Sequence, residues 1–190
     1  MDLKQLNLYQ LINMIVDPRK DVLQDIYSDH NSLFRTAPGS SNNHQHWHGG
    51  YADHIAECLR INEVTYDGLE LIRPAGFTKG SAAVALFFHD IEKPFKYAGS
   101  DHPQAAQWHS ELQYVIPEYW ESIKKRIIEQ MMKDYGFTLT EDEWNALKYT
   151  HGEGDHYRKD VRVSCPLAAH VGNCDRASAR LWPEEGKGLG

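Results

Sequence analysis

The residues of this 190-residue chain best fitted to do chemistry are His89 and Asp90. They follow directly on six apolar residues, Ala83 to Phe88, where burial is expected. A buried carboxylate is costly unless a cation or a metal answers it. Adjacent His and Asp side chains can bind one metal jointly, with the Asp bridging to a second. Such a ligand mix suits one or two divalent ions of Mn, Fe, Co, Ni or Zn. The dipeptide alone is weak evidence, because the composition makes about one His-Asp pair expected by chance. Its place behind the apolar run carries the argument. Histidine, the commonest metal ligand and the usual acid–base residue near neutral pH, occurs 11 times and clusters at His44, His46 and His48 and at His151 and His156. The first of these clusters reads equally well as ligands or as solvated loop residues.

Four segments extend the pattern: HGGYADHIAECLRI (48–61), AVALFFHDIEKPFKY (83–97), LKYTHGEGDH (147–156) and AAHVGNCDRASARLW (168–182). Together they resemble the HD-domain superfamily, over about residues 44–182. The Gly-Gly pair ahead of a helical His, and His-Gly at 151–152, are similar to its exoribonuclease-associated branch. Asp-Arg-Ala-Ser-Ala at 175–179 is similar to its last ligand segment. The resemblance implies His54, His89, Asp90 and Asp175 as core metal ligands, and His109 and His151 as extra ligands of a second ion. It implies Asp90 and Lys93 as catalytic, the lysine holding a phosphate or meeting charge that builds up in phosphoryl transfer. Glu92 departs from the usual glycine of His-Asp-Ile-Gly-Lys and would add a carboxylate beside the phosphate position.

Other residues have two readings. Asp175 is a ligand or an ion-pair partner of Arg176 or Arg180. His48, Arg158 and Arg176 are candidate substrate contacts, while Arg158, Lys159 and Arg162 also read as a solvated basic face. His170, five residues before Asp175, fits packing or support of a ligand better than ligation. Trp120, Ile123 and Ile127 read as core.

The elements that must position these groups are helical almost throughout. Leu3, Leu6, Leu11, Ile12, Ile15 and Val16 mark one face of a helix ending before Asp17-Pro18, and Asp21–Tyr27 a short second one. Residues 36–50 form a loop, and a helix follows Gly49-Gly50 through HIAECLRINEVTY. Residues 67–80 read as a connection. The run SAAVALFFHDIEK is a helix capped by Ser81. Helices follow at 104–116 and 118–133, and Thr140 to Glu143 is a capping box opening another to about Tyr149. A polar loop leads to a last helix, Leu167–Leu181, and residues 183–190 should fray. The long stretch from His109 to His151 suits a lid or an oligomer contact. The expectation is one all-α domain, a compact helical bundle.

Composition bounds the function. Hydrophobic residues are 41% and charged residues 25%, an ordinary globular balance. With 20 Lys and Arg against 27 Asp and Glu, the net charge of −7 argues against a duplex-coating or membrane-surface protein. No apolar run nears a membrane span, and the N-terminus lacks a signal-peptide layout. Cys58, Cys165 and Cys174 are too few and too dispersed for a disulfide framework. The chain reads as soluble and cytoplasmic, with a nucleotide or other small phosphorylated substrate as partner. The activity the resemblance implies is a metal-dependent phosphohydrolase. A di-iron oxygenase using O2 and a non-catalytic nucleotide-binding module are the alternatives.

Overall fold

The computed structural model describes residues 2–98, 102–114 and 117–188, with side chains for all of these except 110, 113, 114 and 117–121. Among the described residues the protein is all-α, with no strand. After a 3-10 turn at Leu3–Gln5 come α1 (Leu8–Met14), α2 (Lys20–Asp29), α3 (Asn31–Thr36), α4 (Gly50–Ile72) and α5 (Lys79–Phe88). They are followed by α6 (Glu92–Tyr97), α7 (Ala106–Tyr114), α8 (Pro117–Tyr135), α9 (Glu141–Tyr149), a 3-10 turn at Gly154–His156 and α10 (Pro166–Leu181). None of these helices is long and apolar enough to cross a membrane.

The short helix α5 is apolar on every side, which is the pattern of a helix enclosed by others. Its residues from Ala82 to Phe88 are all buried, and α4, α9 and α10 pack around it. It therefore delivers His89 and Asp90, the next residues in the chain, to the centre of the bundle. Helix α4 lies against α1, α3, α5 and α10, and α10 against α9. Gly172 makes the α9–α10 approach possible. A Cβ there would sit 2.5 Å from the Thr150 carbonyl oxygen, so only glycine lets α10 come this close to the end of α9. The long stretch between His109 and His151 belongs to the bundle, with Ile123, Ile127, Ile128 and Met131 of α8 buried. Trp120, expected beside them, has its side chain outside the described residues.

The run SAAVALFFHDIEK, expected as one helix, ends as α5 at Phe88, turns through residues 89–91 and resumes as α6, and α3 is an addition to the expected elements. Four further boundaries differ from the sequence expectation. The first helix is broken, because Asn7 and Gln10 form a capping box that starts α1 afresh at Leu8, and Val16 stands almost fully exposed. Helix α4 runs past Gly68 to Ile72, six residues into the supposed connection. The cap of α5 is Thr78, whose hydroxyl accepts from the Ser81 N–H at 3.0 Å. The tail is tied down through Gly188. The Pro183 carbonyl accepts from the Gln45 N–H at 3.0 Å, and the Gly188 N–H donates to Asp53 Oδ2 at 2.9 Å. The capping box of α9, in contrast, is formed as read, with Thr140 and Glu143 each answering the other's backbone N–H.

Candidate metal centre

His54 comes from the second turn of α4, His89 and Asp90 from the turn between α5 and α6, and Asp175 from the middle of α10. All four are buried. His54 Nε2 and His89 Nε2 face each other at 3.2 Å. Asp175 Oδ1 lies 3.2 Å from the first and 3.6 Å from the second, and Asp90 Oδ2 lies 3.6 Å and 3.3 Å from them.

The other ring nitrogens fix the tautomers. His89 Nδ1 is 2.7 Å from the Leu86 carbonyl oxygen, which can only accept, so Nδ1 carries the proton. Ser178 Oγ donates to Glu57 Oε2 at 2.9 Å and therefore accepts from His54 Nδ1 at 3.0 Å. Neutral imidazoles held this way aim two Nε2 lone pairs at each other with no proton between them. Asp90 Oδ2 is answered by the Lys93 ammonium in an ion pair at 2.5 Å. A divalent ion among these atoms would replace the facing lone pairs with shared coordination, so the residues fit one.

Electrostatics give the same picture without an ion. Burial opposes a charge on His89, but Asp90 and Asp175 outweigh it and raise its pKa to about 10. Burial lowers His54, with the charges of His89 and Lys93 adding to it and Asp175 opposing. Burial works against both carboxylates, and their neighbours still hold them well below the usual range: the charges of Lys93 and His89 for Asp90, and hydrogen bonds from His151, His54 and His89 for Asp175. The two acids demand positive charge, and a proton on His89 supplies it in place of a metal.

Sequence reasoning missed Cys58. It sits one turn beyond His54 on the same face of α4, with Sγ 3.8 Å from His54 Nε2. Ligand atoms of His54, Cys58, His89 and Asp175 all lie within 4.8 Å of one another, a buried group that could hold a metal ion. The i, i+4 spacing was the available signal.

Above the cluster opens a cleft of about 510 Å³, lined by Asn43, His44, Lys93, Thr150, His151, Asp175, Arg176, Ala179, Arg180 and Pro183. His151 bridges the two: its ring is largely exposed, while Nδ1 lies 3.3 Å from Asp175 Oδ2 and Nε2 3.9 Å from Asp90 Oδ1. His44 lies against His54 with the rings tilted and their centroids 5.1 Å apart, and burial, His54 and Lys93 lower the pKa of His44 to about 4. Of the loop histidines, then, His44 meets the site, while His48 lines a separate groove with Arg35 and Asp53. Loop composition gave no means to choose between them. The Gln45 backbone that presents His44 has φ of 40°, and its carbonyl oxygen is so close to Gly50 that a Cβ there would stand at 1.8 Å. This is the physical reason for Gly49-Gly50 before the His54 helix.

Among the described residues His109, in α7, makes no hydrogen bond or ion pair with the cluster, and its buried Nδ1 has no hydrogen-bond partner. Arg158 is exposed and pairs with Asp160 at 3.2 Å, outside the cleft. Glu92 does not line the cleft; its Oε2 is buried without a hydrogen-bond partner, and burial raises its pKa. His170 packs against Phe77 and bonds Asn62 Oδ1 at 2.8 Å, a supporting contact between α10 and α4. Comparison with protein-family profiles, with curated proteins and with solved structures finds no match to this chain.

Proposed function

We propose that the protein is a metal-dependent phosphohydrolase of the HD-domain kind, acting on a nucleotide or short oligonucleotide phosphoester. One observation carries the reading: two histidine Nε2 atoms and two carboxylates converge, short of a cation, beneath a cleft whose rim is basic. His54, His89, Asp90 and Asp175 would hold the ion, with the Cys58 thiol beside them. A divalent ion bound there supplies Lewis acidity, polarising a phosphoryl oxygen and lowering the pKa of water to about 7.

The chain's own groups do the rest. Lys93 lines the cleft while paired to Asp90, so it can meet negative charge gathering on the phosphoryl oxygens without leaving its carboxylate. Arg176 and the exposed edge of His151 bind and orient the phosphate. Hydrolysis forms one P–O bond to the water oxygen, breaks the P–O bond to the leaving alcohol, and moves one proton from the water to that alcohol. His151, in reach of both solvent and Asp175, would serve a second ion or, with one ion bound, carry that proton.

The test is a hydrolysis assay over mono-, di- and triphosphate nucleosides, cyclic nucleotides and short oligonucleotides with Mn²⁺, Co²⁺ or Ni²⁺ added. Turnover of one class by the wild type, lost in Asp90→Ala, is expected. Absence of turnover from the whole panel, with metal bound, would refute phosphohydrolase activity.

A further inference from the structure

Helix α10 carries more than Asp175 into the cleft. Arg176 and Arg180 both line it, four residues apart and so on one face, with Ala179 between them keeping the floor open. Among the described residues neither guanidinium forms an ion pair with a carboxylate. Arg176 has only a long contact to Asn173 Oδ1 at 3.4 Å. Three of the seven other arginines form ion pairs with acids: Arg19 with Asp17 and Glu143, Arg126 with Glu111, Arg158 with Asp160. No Phe, Tyr or Trp lines the cleft, so charge and hydrogen bonding from Lys93, His44, His151 and the two arginines are its main means of binding.

We propose that Arg176 and Arg180 form a subsite for a second anionic group, so that the preferred substrate carries two or more linked phosphoryl groups. This rests on the phosphohydrolase reading. One phosphoryl group lies over the carboxylate–imidazole cluster beside Lys93, and the next is held by the two guanidinium groups. Two planar forks aimed at one anion bind it bidentately, which a lysine pair would do less well. Asn43 and His44 face the same space from the loop and close the other wall.

The test is calorimetric binding of methylenediphosphonate and of methylphosphonate, neither of which is hydrolysed, to the full chain at fixed excess Mn²⁺. The wild type should bind the diphosphonate at least about tenfold tighter. Arg176→Gln/Arg180→Gln should bring the two ligands within about threefold, while Arg176→Lys/Arg180→Lys keeps an intermediate preference. Circular dichroism of each variant checks the fold. A wild type without preference, or a preference that survives in the glutamine variant, would overturn the subsite. A diphosphonate preference in a protein that turns over no phosphoester would leave the subsite standing and the hydrolase reading refuted. Phosphomonoester turnover without the preference would do the reverse.

Discussion

Two groups of charged side chains are buried in this molecule, and they are closed differently. In the first, Arg19 lays its guanidinium across two carboxylates, at 2.7 Å to both oxygens of Glu143 and 2.8 Å to both oxygens of Asp17. Ser81 Oγ and the Thr140 N–H complete Glu143, whose side chain is fully buried. Burial would raise Glu143, but Arg19, Thr140 and Ser81 outweigh it and hold it low. The second group is the His54–His89–Asp90–Asp175 cluster, where Lys93 and a proton on His89 balance the two carboxylates and where, with both imidazoles neutral, two Nε2 lone pairs would oppose each other. Buried charge is common to both. What separates them is how it is answered: the first group is a clamp of side chains joining the start of α2 to α5 and α9, and the second has a place that either a proton on His89 or a metal ion can fill.

Substitutions should divide along that line. The largest effect on folding belongs to Glu143→Ala, which leaves Arg19 to Asp17 alone and Ser81 Oγ and the Thr140 N–H without their acceptor, and should cost about 3–5 kcal/mol, read as a lowered Tm with bound metal unchanged. Next comes chelation. An ion present at a hundredfold its Kd stabilises the folded chain by about 2.7 kcal/mol, so EDTA should lower the Tm of the metal-loaded wild type and of Glu143→Gln alike, but not that of Asp175→Ala. Ser178→Ala removes the oxygen that orients His54 and should weaken metal affinity about 10–100-fold while leaving the clamp intact.

The gentlest test is acid. The folded pKa of Glu143 is depressed, so its contribution is complete above the unfolded value, about 4.5, and is lost as pH falls through the folded one. The Tm of the wild type should therefore drop more steeply below pH 4.5 than that of Glu143→Gln, measured in the metal-free protein. Parallel acid limbs would show that the clamp contributes nothing through this carboxylate.

The sequence revealed these two regions unevenly. His89 and Asp90 were legible because an apolar run must bury whatever follows it, and a buried acid requires an answer. The α9 capping box was legible because its partners are three residues apart. Arg19 with Glu143, and Ser178 with His54, join residues more than a hundred positions apart, and no local pattern links them. Cys58 lay within reach through its spacing from His54, but was weighed only as a disulfide partner. His44 and His48 are alike in composition and parted only by the path of the loop, which the close approach of Gln45 to Gly50 determines. Helix α4 outran its expected end because a single interior glycine such as Gly68 costs a helix only about 1 kcal/mol and does not by itself end it.

The central claim is that side chains leave the histidine–aspartate cluster one cation short. Equilibrium dialysis of the chelator-stripped wild type and of Asp175→Ala against Mn²⁺, Fe²⁺, Co²⁺, Ni²⁺ and Zn²⁺ in turn, with elemental analysis of the bound metal, tests it most directly. About one equivalent or more of at least one ion on the wild type, and under about a tenth of that on the folded variant, is the predicted result. A wild type that retains none of the five ions, or a variant that retains as much as the wild type, would contradict it.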